Sequence, residues 1–435
     1  MKHPVVIVHY HLRAGGVTSV IREAAGLIAA SGRDGLVVSS SESREMGGLP
    51  ASSLHALAYG ETVPASEMAS QLEALVRSHF GHDEVIFHFH NHSLGKNPAV
   101  ATLPAHLAER GHRLVLQLHD FAENQRPDNY EIIRNLKGVY PLAPRIHYAS
   151  LNSRDQAILL GAGVPEGQAH LLPNSCSLPA LPASPEKLVL YPVKAMPRKN
   201  LGEFCLLAAF APSGFHFALG LPPDSPGSYP GYGAWPELAR DCDLPIIFGV
   251  TGEHEAPGGG KTFYDWQRAC SHCVTTSVEE GFGMVFLEPH FIQRPLLGRA
   301  LPHCLNDLEA AGLEFPGLYD FISIPSEWLE GHADAGVRVD FASLSPTEQC
   351  QLIRDPGDPA DILVHRGSGS ERLDHWLQRQ LADRTCPHPS LAAMDHFSAE
   401  AAVRRLDGIY AELDSAPEGP TGHLNQSRIY EAFEA

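Results

Sequence analysis

The chain has 435 residues, more than one hydrophobic core usually spans, so two domains are expected. Its composition, 43% hydrophobic and 19% charged, excludes a disordered or fibrous polypeptide. A formal net charge of −19 excludes a broad basic face for nucleic acid or anionic lipid, while a few lysines and arginines in a cleft still suffice for a local phosphate site.

No apolar run approaches the roughly 20 residues that a membrane helix requires. The opening Met1-Lys-His-Pro-Val-Val-Ile-Val-His9 turns polar too soon for a signal peptide and reads as a first strand. Eight scattered cysteines fit buried thiols in a reducing compartment better than a disulfide framework. A cytoplasmic protein without stable membrane insertion is therefore expected, and nothing points to an oligomeric state.

Val5-Val-Ile-Val8 is strand-like, and residues 18–30 carry helical spacing after Gly15-Gly16. Glu84-Val-Ile-Phe-His-Phe89 and Arg113-Leu-Val-Leu-Gln-Leu118 are further strands, with a helix-like stretch over 100–110 between them. This alternation predicts a parallel sheet covered by helices. Proline and small residues over 178–185 mark a linker. The rhythm restarts at Lys187-Leu-Val-Leu-Tyr191 and continues through Phe215-His-Phe-Ala-Leu219, Leu244-Pro-Ile-Ile-Phe248 and His272-Cys-Val-Thr-Thr276. Residues 221–235 form an excursion loop. Residues 397–413 form a helix with Phe397, Ala401, Val403, Leu406, Ile409 and Tyr410 as apolar positions, and the last dozen residues are expected to be mobile. Two similar α/β halves on either side of a linker predict a bilobed enzyme with a cleft. Ligands of such sheets bind at the carboxyl ends of the strands.

The segments with chemical content lie at those ends. Glu280-Gly-Phe-Gly-Met284 follows a strand and precedes an apolar helix-like run ending at Glu288. Its glycines let backbone amides approach a diphosphate, and the two carboxylates suit sugar or ribose hydroxyls. A glycine turn with two solvated glutamates explains this single segment nearly as well. Lys194-Ala-Met-Pro-Arg198-Lys199-Asn200 places three cations after a strand, where they could neutralise a leaving diphosphate, although a solvated basic turn is the commoner occurrence. Ala14-Gly15-Gly16-Val17 could bring amides to a phosphate or sugar, or be a plain strand-to-helix turn. Histidines gather at the strand ends: His9, His11, His88, His90, His92 and His119 beside Asp120. Zinc or iron would suit such ligands, but packing or sugar-binding histidines are preferred, some buried and some facing the cleft. Gly258-Gly-Gly-Lys261-Thr262 lacks the earlier glycine of a phosphate loop, and Cys270-Ser-His-Cys273 has neither a second pair for zinc nor the histidine for haem attachment.

In this order along the chain, the segments resemble the retaining GT-B glycosyltransferases of the glycogen-synthase-like group (family 4-like). The series runs from Gly15-Gly16 through His119-Asp120, Leu172-Pro-Asn-Ser175, the basic turn at 192–200 and Thr276-Ser-Val-Glu-Glu280-Gly-Phe-Gly283 to Glu288. A C-terminal helix containing Ile409-Tyr410 completes it. The resemblance implies two Rossmann-like domains, 1–183 on the acceptor side and 184–395 on the sugar-nucleotide side, with 396–435 crossing back to the first. It implies that Glu288 holds the ribose, that Glu280 and the amides of Gly281, Phe282, Gly283 and Met284 hold the sugar and its phosphate, and that Lys199 neutralises the diphosphate with Lys194 and Arg198 beside it. His119 would lie by the reacting sugar carbon, and Gly15 and Gly16 under the phosphates. His119, Lys199 and Glu280 are the candidate catalytic residues. Val193-Lys194 stands where the family usually has Gly-Arg, which keeps the charge but loses a bidentate fork. The implied reaction moves a hexose from a nucleoside-diphosphate sugar to a hydroxyl of a small soluble acceptor, with no metal or other cofactor. Lys96 and Arg126 are candidates for an anionic acceptor. A disaccharide phosphorylase on the same fold and a non-catalytic sugar-nucleotide sensor are the alternatives.

Overall fold

The computed structural model describes residues 2–13, 15–223, 226–250, 262–329 and 336–434. Ala14 and Gly258-Gly-Gly-Lys261 lie outside the described residues; Thr262, which is described, caps the helix Phe263–Ala269. The chain divides into two compact units, residues 1–175 with 397–435, and residues 176–396.

The first unit contains β1 (Val5–Val8), β2 (Gly35–Ser39), β3 (Glu45–Met46), β4 (Leu49–Ser53), β5 (Ile86–His90), β6 (Arg113–Leu118), β7 (Pro141–Leu142), β8 (Ile146–Ser150) and β9 (Ala169–Leu171). Eight of them form one sheet in the order β3-β4-β2-β1-β5-β6-β8-β9, parallel apart from the β3–β4 pair. Apolar residues line both faces, as a sheet covered on both sides requires. Val6, Val8, Phe87, Phe89, Leu114 and Leu116 pack into one core. Val5, Ile7, Ile86, Val115 and Ala149 face the other way, under the helices Gly16–Ala30 and Ala399–Ser415.

The second of those helices starts where the Ser398 hydroxyl accepts the Ala401 N–H at 3.0 Å. It buries Leu406, Ile409, Tyr410 and Leu413. The Arg33 guanidinium, almost wholly buried, pairs with Asp414 at 3.0 Å and lies over the Tyr410 ring. The last residues depart from expectation. They form a helix, Gln426–Glu434, whose Ile429 is fully buried and whose Tyr430 stacks on Tyr130 at 4.4 Å between centroids. A short strand, Gly422–His423, pairs with β7 just before it.

The second unit contains β10 (Leu188–Lys194), β11 (His216–Leu221), β12 (Ile246–Phe248), β13 (His272–Thr275), β14 (Leu296–Arg299) and β15 (Leu318–Tyr319), all parallel, in the order β12-β11-β10-β13-β14-β15. Four further strands, β16 (Phe321–Pro325), β17 (Arg338–Asp340), β18 (Leu363–Arg366) and β19 (Gly369–Arg372), form an antiparallel sheet in the order β17-β16-β18-β19. The expected alternation of strands and helices did not contain this sheet. The segment read as a linker belongs to the second unit. Arg294 donates to the carbonyls of Leu181 and Pro182, and the Ser184 hydroxyl donates to the Ala269 carbonyl at 2.5 Å. Residues 221–235 are not all loop: Trp235 is buried at the start of the helix Ala234–Asp241 and donates to the Tyr229 hydroxyl at 3.0 Å. Among the described residues no helix is long and apolar enough to cross a membrane.

Both parallel sheets reverse direction in the middle. In the first unit the chain leaves β1 for β2 on one side, and β5 lies on the other. In the second it leaves β10 for β11, and β13 lies opposite. The loops after such strands diverge, which opens a crevice at the carboxyl ends where ligands of doubly wound sheets bind.

Candidate active site

In the second unit the reversal brings together the turn after β10 and the loop after β13. Val189 pairs with His272 and Leu190 with Cys273, so the two strands end side by side. Backbone and side-chain bonds then stitch the loops to each other. The Val278 N–H donates to the Arg198 carbonyl at 2.9 Å, and the Thr276 hydroxyl lies 3.0 Å from the Lys199 carbonyl and 3.1 Å from that of Asn200. Asn200 turns the chain with a φ of +46° and leads into the helix Leu201–Ala209. Below it, Glu203 is fully buried. It accepts from Arg299 at 2.6 Å and from the Tyr319 hydroxyl at 2.6 Å, a satisfied cluster that anchors this helix to β14 and β15.

This scaffold holds the pair that the sequence separates by 81 positions: the Lys199 ammonium donates to the Glu280 carboxylate. Both residues are buried, with 6% and 7% of their surface exposed, so each charge depends on the other and on the groups around them. The Ser277 hydroxyl donates to the same Glu280 oxygen at 2.6 Å and lies 2.7 Å from the Tyr191 hydroxyl. Tyr191 also donates to the Lys199 carbonyl at 3.1 Å. Ser277 and Tyr191 were not among the expected site residues. Ser277 belongs to a quoted motif, but Tyr191 reads as plain core in a strand of apolar residues. His303, in the first turn of the helix Pro302–Ala310 that follows β14, lies 3.0 Å from the Glu280 carbonyl and 3.3 Å from the Glu279 carboxylate.

The loop ends at Gly283, whose φ of +82° is in the left-handed region. A Cβ there would meet Phe286 Cδ2 at 2.6 Å, so this residue requires glycine for both conformation and space. Met284 opens the helix Met284–Phe291, and Phe282 is buried against the scaffold. Glu288 lies on the second turn of that helix. Among the described residues its carboxylate carries no hydrogen bond or ion pair, and burial raises its pKa to about 7. An acceptor held half out of water without a donor is suited to hydroxyl groups brought by a ligand.

Lys194 ends β10, where a bulge between Tyr191 and Lys194 shifts the register against β11. Val193 packs close to Gly220, where an added Cβ would sit 2.8 Å from the Val193 carbonyl oxygen. Lys194, Arg198 and Lys199 therefore project from one bulged strand end and the turn that follows it.

The first unit holds the remaining expected residues. Gly15 and Gly16 precede and open the helix Gly16–Ala30, and a Cβ at Gly16 would meet nothing within 4 Å, so packing alone does not require glycine there. Of the strand-end histidines, His9, His88, His90, His92 and His119 are buried and His11 is half-buried. The pleat aligns His9, His88, His90 and His119 on the face that carries Ile7 and Val115. Their ring nitrogens are only partly satisfied: His90 Nε2 is buried without a hydrogen-bond partner among the described residues. His90 Nδ1 lies 2.8 Å from His119 Nε2, His88 Nδ1 lies 2.8 Å from the Tyr410 hydroxyl, and His9 Nδ1 lies 2.9 Å from the His90 carbonyl. Burial lowers the pKa of His119 to about 3, with Asp120 opposing, and that of His88 to about 4. These rings are neutral near pH 7. Asn91, with φ +55°, accepts the backbone N–H of His119 at 2.6 Å and sets the turn after β6. Arg126 pairs with Asp120 at 2.7 Å. Lys96 is exposed, and partial burial followed by the repulsion of Arg126 lowers its pKa while Asp128 opposes, so two cations lie near each other.

No family model matches the sequence. The chain is similar to a mannosylglucosyl-3-phosphoglycerate synthase of Petrotoga mobilis, 26% identical over 350 residues that cover 68% of this chain. The match spans 64% of that relative's length. Among solved structures, Anabaena Alr3699/HepE in complex with UDP and glucose superposes with a TM-score of 0.57 at 13% identity, covering 94% of this chain and 99% of that one. A glycosyltransferase from Rickettsia africae gives 0.57 at 14% identity over 96% and 100% of the two chains. The lipopolysaccharide outer core galactosyltransferase WaaB gives 0.53 at 11% identity over 93% and 98%. Two doubly wound units and near-complete coverage by such structures lead to one architecture: the chain has the GT-B fold of the glycosyltransferases.

Proposed function

We propose that the chain is a retaining glycosyltransferase that moves a hexose from a nucleoside-diphosphate sugar to a hydroxyl of an anionic, soluble acceptor. The observation that carries this reading is the buried Lys199–Glu280 pair at the β10/β13 reversal, immediately before the Gly283 turn. As the bond to the sugar breaks, the diphosphate leaving group gains one negative charge on top of those it already carries, and that build-up needs a fixed counter-charge. Lys199, already desolvated and held by Glu280, supplies one without reorganisation, and Lys194 and Arg198 add to it. Glu280 then has carboxylate capacity for sugar hydroxyls, and the amides of Gly281, Phe282, Gly283 and Met284 for a phosphate. Glu288 takes the ribose. In the first unit, Gly15, Gly16 and His119 keep the donor-side roles that the resemblance implies. A neutral His119 acts there as a hydrogen-bond partner, not as a proton carrier, and the acceptor's proton passes to the leaving phosphate. No metal enters this scheme.

The acceptor's charge is inferred from Lys96 and Arg126 and from the relative, whose product carries a phosphoglycerate group. A thermal-shift screen of UDP-, GDP- and ADP-sugars is the first test. A donor at 100 times its dissociation constant adds about 2.7 kcal/mol of stability. Transfer to phosphoglycerate and its glycosides, with the anomeric configuration of the product read by NMR, is the second. Phosphorolysis of a disaccharide with no response to any sugar nucleotide would replace this reading with a phosphorylase. Binding without transfer would leave a sensor.

A further inference from the structure

Away from these residues, the edge of the first unit's sheet carries a group that the proposed reaction does not use. His147 on β8 and His170 on β9 project from the same face, because Ala149 pairs with His170 and His147 lies two residues earlier. The helix Ala399–Ser415 crosses that face and presents Glu412 from its last turn. His147 Nδ1 lies 2.8 Å from His170 Nε2, and the rings stack 14° from parallel. The same Glu412 oxygen, Oε2, lies 3.6 Å from that His147 nitrogen and 3.7 Å from that His170 nitrogen.

Three atoms of the right kind thus form a triangle with edges of 2.8, 3.6 and 3.7 Å. Nitrogen and oxygen ligands about 2.0–2.1 Å from a tetrahedral zinc ion are separated by roughly 3.3 Å, so the observed edges bracket the required one. A contact between two ring nitrogens needs a lone pair on at least one of them, so at least one ring is neutral as it stands. The second needs only to carry its proton on its other nitrogen, His147 Nε2 or His170 Nδ1. The three positions differ in burial in the order expected of a site at a surface. His147 is buried, His170 is half-buried, and the Glu412 side chain is 56% exposed, free to adjust and leaving a fourth position toward solvent. Two imidazoles and one carboxylate select zinc and neighbouring divalent transition metals over calcium or magnesium.

We propose that His147, His170 and Glu412 bind one divalent transition-metal ion of the zinc class, which ties the C-terminal helix to the edge of the first unit's sheet. The ion's role is to hold the fold, and the inference is independent of the proposed transferase activity. The test uses the full chain, stripped with chelator and titrated with zinc against a chromophoric competitor, with cobalt(II) spectra as a second readout. One equivalent is expected to bind, with a tetrahedral cobalt spectrum and a raised melting temperature. Loss of a ligand is expected to weaken binding by more than the roughly 10–100-fold that an outer partner is worth. His170→Gln and Glu412→Gln, both at accessible positions, should show this loss, and His216→Gln, at an exposed histidine of the other unit, should not. Failure of the wild-type chain to bind zinc or cobalt would overturn the proposal. So would binding that is unchanged in His170→Gln and Glu412→Gln, which would place the ion on other histidines.

Discussion

Replacing Lys199 by methionine removes the ammonium but keeps most of the side chain's volume. Glu280 is then left 7% exposed with its charge supported by the Ser277 hydroxyl at 2.6 Å and no longer by Lys199. Stranding one partner of a buried ion pair typically costs 3–5 kcal/mol, and the retained Ser277 bond puts the expected loss near the lower end, about 3 kcal/mol. The double variant Lys199→Met/Glu280→Gln buries no charge. Its amide oxygen still accepts from Ser277, so its loss is expected to be about 1 kcal/mol. The double variant is therefore expected to be about 2 kcal/mol more stable than Lys199→Met alone. Guanidinium denaturation of the three chains, compared at constant slope, measures it. A double variant less than about 0.5 kcal/mol more stable than Lys199→Met would refute the reasoning that each charge depends on the other. Both variants should lose sugar-nucleotide binding, which separates the functional claim from the stability claim.

Glu288 titrates near pH 7, so a donor held by its carboxylate should bind about tenfold more weakly at pH 6 than at pH 8, and Glu288→Gln should flatten that profile. Calorimetric titration across this range checks it; an unchanged slope in the variant removes Glu288 from the donor site. Glu123, buried between Tyr140 and Gln426, has its pKa raised by burial to about 7. The folded chain therefore holds a proton there that the unfolded chain releases near pH 4.5. Stability falls as pH rises between these values, by about 3 kcal/mol in all, and is level above pH 7. Glu123→Gln should remove that fall, and an identical pH–stability curve for both chains would contradict it. Gly283→Ala places a methyl group 2.6 Å from Phe286 Cδ2 at a left-handed φ. It is expected to cost at least the roughly 1–2 kcal/mol of the conformation alone, visible as a lower melting temperature. An unchanged melting temperature would mean that the turn is not held as described.

In the two parallel sheets β1, β5, β6 and β10 to β13 were legible because they are short apolar runs separated by helical spacing, as at Val5–Val8 and Arg113–Leu118, whereas β2, β8 and β14 were not read. Nor was the antiparallel sheet. Two of its strands, Arg338–Asp340 and Gly369–Arg372, are short, polar and only partly buried, and they lack the pattern that separates strand from loop. The closing helix Gln426–Glu434 was missed for a related reason: one fully buried residue, Ile429, and two stacked aromatics hold it, too few for a visible periodicity. The residues of the candidate site were each visible as motifs at strand ends. Their pairing was not, because Lys199 and Glu280 meet only through the β10–β13 register. The histidines show the converse limit. Alternation of facing is readable, but whether the face in question is covered depends on a helix some 300 residues further along the chain.

The return of residues 397–434 to the first unit bears on how the chain is made. The second unit is a continuous insertion, complete as soon as residue 396 has been synthesised. The first begins earlier and finishes later. Until the helix Ala399–Ser415 emerges, the sheet face that carries Ile86, His88 and Val115 lacks Ile409 and Tyr410. The usual order of N-terminal domain first is therefore reversed. A nascent or truncated chain would display a finished second unit beside an open apolar sheet face, so chaperone dependence and loss on C-terminal truncation belong to the first unit.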